Sequence, residues 1–303
     1  MKIYYTDHFN LPLPDSHRFP MVKYRQLRQH VVRSPFHLHD LLIVPPAATD
    51  EQLLSCHTER YVSAVRDGTL SNSEIRRIGF PWSTQMVERS RRSTGATLAA
   101  SRAALSDGIA VNLAGGTHHA MHDAGEGYCV FNDAAVTIRT LQREKLIQHA
   151  CVIDLDVHQG NGTAEILGDD HTAFTLSLHG VKNFPMRKSP SDLDIDLDDG
   201  TTDEQYMAAL DGALDQLDNE QPFDLAIFLA GADPYKDDRL GRLDLSKNGL
   251  AERDRTVMQW CRDRSIPLAI AMAGGYAPDV NDIVSIHGMT VQLASLHSRI
   301  ATQ

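Results

Sequence analysis

The stretch CVIDLDVHQGNGT, residues 151 to 163, places Asp154, Asp156 and His158 in alternation with Leu155 and Val157, directly after β-branched Val152 and Ile153. In an extended strand, residues i, i+2 and i+4 share a face, so two carboxylates and an imidazole line up together. An unpaired carboxylate in such apolar company costs several kcal/mol. Either this is the wet face of an edge strand, or a cation sits against it. Asp oxygen and His nitrogen are ligands for zinc or ferrous iron, and a catalytic site of this kind takes three protein ligands and keeps a position open. Asp156 and His158 can supply two, and the third must come from elsewhere.

Asp233, in LAGADPY, is the candidate for the third, because it ends an apolar run. An Asp before Pro also serves as a turn or cap residue. GGTHHA carries His118 and His119 side by side behind a glycine pair that lets backbone pass close to a ligand. Consecutive residues cannot share a face, so two separate proton-handling roles fit them better than joint ligation. Tyr276, after AMAGG, is either a packed aromatic or a phenol that donates to a developing oxyanion.

What must position these residues is a set of short apolar runs: 108–116, 150–158, 172–180, 223–233 and 266–276. Helix-like stretches at 83–105, 201–217 and 245–264 separate several of them, and Thr202 with Gln205 makes a capping box for the second. Strands alternating with helices imply an α/β fold with a mostly parallel sheet flanked by helices on both faces. With no repeat or low-complexity linker in sight, the expectation is a single domain over residues 1–303. Each run delivers its polar residues at its carboxyl end, where open α/β sheets bind ligands. One crevice is implied.

Composition narrows the class. The chain has 303 residues, 42% hydrophobic and 23% charged, and no apolar run of the length a membrane span needs. The first residues lack the basic-then-apolar pattern of a signal peptide. Cys56, Cys129, Cys151 and Cys261 are scattered without a C-x-x-C pair, which suggests reduced thiols and a cytoplasmic protein. A net charge of −11 argues against nucleic acid as a partner, and fifteen histidines favour a metal or proton-transfer site.

Three further stretches read as structural. DLDIDLDDGTTDE (192–204) resembles a calcium loop but places its glycine one position late, so an exposed acidic loop is expected. The glycine pair of HQGNGT is weak ground for a phosphate site, and RSRR (89–92) is expected to be a solvated helix face.

GGTHHA, EGYCVFND (126–133), IDLDVHQGNG, TLSLHG, GADPYKDDRLGRL (231–243) and GGY occur here in the order of the histone deacetylase family. The chain looks most like its class IV branch and bacterial relatives. The resemblance implies the arginase/deacetylase fold and zinc-dependent hydrolysis of an acylated amine, such as an acyl-lysine side chain. Asp156, His158 and Asp233 resemble the zinc ligands, which in the cell could equally hold ferrous iron. His118 and His119 resemble the tandem histidines, with His119 as general base and acid and Asp154 holding His118. Tyr276 resembles the oxyanion tyrosine. Gly127, Tyr128 and Phe184 occupy places that line the acyl tunnel. A structural potassium is implied at Asp154, Asp156, His158, Ser177 and Leu178.

Asn161 stands where many members carry Asp as partner of the second histidine; a neutral amide orients His119 while stabilising its imidazolium less. The class IV likeness suggests longer acyl chains. An acetylpolyamine amidohydrolase is the alternative, with the acidic loop as a holder for a second ammonium. An inactive metal-binding scaffold is a remote one. An arginase-like two-metal site is disfavoured, because GADPY offers a single Asp for it.

Overall fold

Among the described residues the eight strands are β1 (Lys2–Tyr4), β2 (Leu41–Ile43), β3 (Ile109–Asn112), β4 (Ala150–Asp154), β5 (Ala173–Gly180), β6 (Leu193–Leu197), β7 (Leu225–Leu229) and β8 (Leu268–Ala271). All pair in parallel, in the order β2-β1-β3-β8-β7-β4-β5-β6. This is a computed structural model, and it describes residues 1–14, 17–220 and 222–300. The helices are α1 (Val22–Arg33), α2 (Asp50–Leu53), α3 (Glu59–Asp67), α4 (Asn72–Ile78), α5 (Thr84–Asp107), α6 (Asp133–Arg143), α7 (Asn161–Leu167), α8 (Asp203–Leu217), α9 (Lys247–Asp263) and α10 (Val280–Ile300).

Alternation along the central strands sorts side chains into two cores. Ile109, Val111, Cys151, Ile153, Phe228 and Ile270 join Leu27 of α1, Leu210 of α8, Val257 of α9 and Ile283 of α10. Ala110, Val152, Ile227, Ala269 and Ala271 face α5 and α6. That second face is alanine-rich, so the 24-residue α5, itself lined with Ala, Ser and Gly, packs close. Both faces are covered, as a parallel sheet requires. This is the α/β architecture expected from the alternating runs.

The five apolar runs all form strands, and the three helix-like stretches are α5, α8 and α9. Thr202 caps α8, its N–H donating to Gln205 Oε1 at 3.0 Å. Three expectations need correction. The acidic segment is not a loop throughout: Leu193–Leu197 is edge strand β6 on β5, with Leu193 and Ile195 packed on the core. Its aspartates alternate outward, which suits an exposed edge. Second, β4 ends at Asp154, so Asp156 and His158 lie beyond it. Asp154 Oδ1 accepts the N–H of Asp156 (3.2 Å), and Asp156 Oδ1 accepts that of His158 (3.0 Å). These are side-chain-to-backbone bonds two residues on, which turn the chain out of the sheet. Third, Arg89 and Ser90 of the RSRR segment are buried.

Strands β1 and β2 escaped the sequence reading. At three residues each, neither shows an alternation. All four cysteines are buried free thiols, and among the described residues no helix is long and apolar enough to cross a membrane.

Candidate active site

Asp156 and His158, on the turn after β4, meet Asp233, just past β7. One ligand atom from each lies within 4.8 Å of the others, and all three residues are buried. Val157 N–H donates to Asp233 Oδ1 (2.9 Å) and Gly274 N–H to Asp156 Oδ2 (2.6 Å). A β-carbon on Gly274 would collide with both carboxylates, so only glycine lets the β8 turn close over them. Asp233 Oδ2 has no hydrogen-bond partner despite lying 3.2 Å from His158 Nδ1. Burial works against a charged His158, yet the hydrogen bond with Asp156 and the nearby Asp233 carboxylate outweigh it and push the imidazole up to about 10. Burial likewise opposes ionisation of Asp156, and the charges of His118 and His158 overcome it and hold the carboxyl low. Two carboxylates, an imidazole and an orphaned buried oxygen converge on one point. That donor set fits a divalent cation that takes mixed nitrogen and oxygen ligands.

The tandem histidines have different partners. His118 Nδ1 lies 2.6 Å from Asp154 Oδ2, and His119 Nδ1 lies 2.7 Å from Asn161 Oδ1. Burial lowers His118, but Asp154 and Asp156 reverse that and raise it to about 9. Burial, then the charges of His118 and His158, hold His119 well below the usual histidine range. One imidazole is therefore charged and its neighbour neutral at neutral pH. Because Asn161 Oδ1 accepts from Nδ1–H of His119, the lone pair sits on Nε2. Gly160 makes room for the His118–Asp154 pair: a β-carbon there would strike the Asp154 carboxylate. The glycine pair of HQGNGT is thus a packing device.

Asp133 holds the loop that carries both histidines. Its carboxylate accepts from Gly116 N–H (2.9 Å), Thr117 N–H (2.8 Å) and the Thr117 hydroxyl (2.9 Å). EGYCVFND ends on this residue, but an Asp at the start of a helix reads as a cap, and nothing local reveals its second task.

Five residues, His119, Gly127, Tyr128, His158 and Tyr276, line both an outer cavity of about 510 Å³ and an inner one of about 40 Å³. They form the neck between the two. Phe184, 37% exposed, stands edge-on to His119 at 4.9 Å between centroids, on the outer side. A side chain on Gly127 would press on His119 and Phe184 and block the passage. Tyr276 faces His158 at 6.3 Å and Tyr128 at 6.1 Å. The inner cavity holds two cations that sequence reasoning missed. Lys23 donates to the Gly275 carbonyl (3.2 Å) and sits 5.3 Å from the Tyr276 ring centre, while Arg89 stacks on Tyr24 at 4.7 Å. Neither has a carboxylate partner among the described residues. At about 40 Å³ the inner cavity holds roughly three water-sized groups, room for a short acyl group.

The residues matched to a potassium site are also adjacent. Ser177 of β5 pairs in register with Asp154 of β4, and Leu178 is buried beside it. His179, however, turns from the crevice: its Nδ1 meets Ser177 Oγ (2.9 Å) and its Nε2 lies 3.1 Å from Asp196 of β6. Four strand ends supply the floor of the crevice, and the end of β5 supplies its mouth through Lys182 and Phe184.

The histone deacetylase domain matches residues 17–289 of the chain. An uncharacterized protein of Picosynechococcus sp. is 39% identical over 287 residues, covering 95% of both chains. Histone deacetylase 2 of Arabidopsis thaliana is 30% identical over 270 residues, covering 86% of this chain and 70% of its own length. Among solved structures, an HDAC homolog complexed with SAHA superposes with a TM-score of 0.80 at 24% identity, over 97% of this chain and 83% of that one. The HDA15 HD domain does so with a TM-score of 0.81 at 18% identity, over 97% and 90%. At these identities the two structures speak for the fold, the arginase/deacetylase α/β fold. The domain match and the Arabidopsis relative reach further, and with the crevice built as it is they place this chain in the histone deacetylase family of hydrolases.

Proposed function

We propose that the protein is a zinc-dependent amidohydrolase that removes a short acyl group, acetyl or little larger, from the side-chain amine of an acyl-lysine. The observation that carries this reading is the neck, where the Asp156–His158–Asp233 cluster, the neutral His119 and the Tyr276 phenol meet between an open mouth and a small inner cavity. A divalent cation held by those three ligands supplies Lewis acidity, polarising an amide carbonyl and acidifying water. Ferrous iron suits the same donors.

The chain's own residues do the rest. The neck aligns the amide so that the acyl group points inward and the lysine stem lies between Tyr128 and Phe184. His119 Nε2 takes a proton from the attacking water and returns it to the departing amine nitrogen, a task for an imidazole that is neutral at rest. His118, kept cationic by Asp154, adds positive charge beside the developing oxyanion, and the Tyr276 hydroxyl donates to it. The carboxylate product forms on the side of Lys23 and Arg89, whose charges favour it. A potassium ion at Asp154, Asp156, His158, Ser177 and Leu178 would stiffen the turn after β4.

The test ranks purified, metal-loaded enzyme by kcat/KM on blocked lysine derivatives with acyl groups of graded length and on acetylated polyamines. Short acyl-lysines should lead. If acetylspermidine or acetylputrescine beats every acyl-lysine, the polyamine reading replaces this one, and if long chains win, the inner cavity is not the acyl site.

A further inference from the structure

Three separate segments bring positive charge to the mouth. Arg76 and Arg77 come from the last turn of α4, Lys182 from the turn after β5, and Arg242 from the loop after β7. All four line the outer cavity with Tyr128 and Phe184. Among the described residues two carboxylates answer them: Glu126 meets Arg77 at 3.0 Å, and Asp199 is shared by Lys182 (3.4 Å) and Arg242 (3.2 Å). Arg76 is exposed and has no carboxylate partner among the described residues. Side-chain exposures of 45% for Arg77, 64% for Lys182 and 55% for Arg242 leave these charges free to act on an arriving ligand.

This surplus runs against the molecule as a whole, which carries a net charge of −11. Cations gathered at an opening to the neck, on a molecule of negative net charge, act by local electrostatic complementarity. The acidic 192–204 segment does not offset it. Asp194 and Asp196 lie towards His179 on the sheet edge, and of the rest Asp199 is already committed to two cations. An acylated polyamine would bring a second ammonium among these cations. A peptide with carboxylates beside its acyl-lysine would bring the opposite charge.

We propose that the mouth selects acyl-lysines flanked by acidic residues, with Arg76, Lys182 and Arg242 as the specificity-determining groups. This rests on the lysine-deacylase reading. Exposed pairs contribute little each and are screened by salt, so the selection should be graded and salt-sensitive. It should show in kcat/KM more than in kcat, since rim charges act chiefly on encounter.

The experiment uses the metal-loaded enzyme and three acetyl-lysine peptides alike except for flanking Glu, Gln or Lys pairs, together with acetyl-lysine blocked at both ends. At low salt, kcat/KM should fall in the order Glu, Gln, Lys across roughly tenfold, and the spread should collapse in about 0.5 M salt. In the doubly reversed variant Arg76→Glu, Lys182→Glu, the Glu-to-Lys ratio should fall to one or invert. Taking the ratio within each enzyme cancels any general loss of activity. Equal rates for the three peptides, a preference for the Lys peptide, or an order unchanged in the variant would overturn the proposal. Failure to hydrolyse blocked acetyl-lysine would instead bring down the deacylase reading beneath it.

Discussion

At the floor of the site, Asp156, Asp233 and the tandem histidines are buried, and each is tied to a partner from another segment of the chain. At the mouth, the groups are half-exposed and come from loops. Asp156 is fixed by His158 and Gly274, Asp233 by Val157, and His118 by Asp154 at 2.6 Å. Phe184, by contrast, is 37% exposed where it stands edge-on to His119, and Arg76 is exposed without a carboxylate partner among the described residues. In a low-dielectric interior every hydrogen bond counts and every missing partner is costly, so the floor has one arrangement. Water and salt weaken the charges at the mouth, so what it does is graded. The floor decides whether chemistry occurs, and the mouth decides on what.

If that division is right, floor substitutions should act as switches. Asp233→Ala should abolish both activity and stoichiometric zinc binding, read by elemental analysis of purified protein. Retention of one zinc per chain would break the ligand assignment. Tyr276→Phe removes only a donor to the oxyanion, so kcat should drop by roughly 10²–10³ with zinc content unchanged. A near-normal kcat would take the phenol out of the reaction.

A subtler floor change sharpens the roles of the two histidines. Burial and the charges of His118 and His158 hold His119 well below the usual histidine range, so in the proposed mechanism the base stays available across neutral pH. Asn161→Asp would put a carboxylate against Nδ1–H and favour the imidazolium. The His119 pKa then rises, and the acid limb of kcat/KM should move to higher pH by about one unit or more. Superimposable pH profiles would mean that His119 is not the base.

The mouth should respond least. Phe184→Ala removes a half-exposed apolar wall, and a loss of about 1 kcal/mol, roughly fivefold in KM with kcat kept, is expected. A collapse of kcat would show that Phe184 belongs functionally to the floor.

How much of this could be read in advance follows the same line. Asp154, Asp156, His158, Asp233, His118, His119 and Tyr276 were all legible because each is an improbable residue at the end of an apolar run. Asp156 and His158 align with Asp154 through two successive side-chain-to-backbone turns, not through an extended strand. Arg89 was misread because a run of arginines on a helix looks solvated, and only the neighbours of α5 show that this one is inside. Lys23 lies in α1, far from every motif. The net charge of −11 is a sum over the whole molecule, yet the mouth is locally positive.

Chain order and residue type alone determined the alternating α/β layout and the ligand chemistry, since hydrophobic periodicity and the cost of burying carboxylates act locally. Tertiary structure decided which imidazole is charged, how small the inner cavity is and what sign of charge guards the entrance. Those are sums over neighbours brought from α1, α4, α5 and the loops after β5 and β7, and no single segment carries a sum.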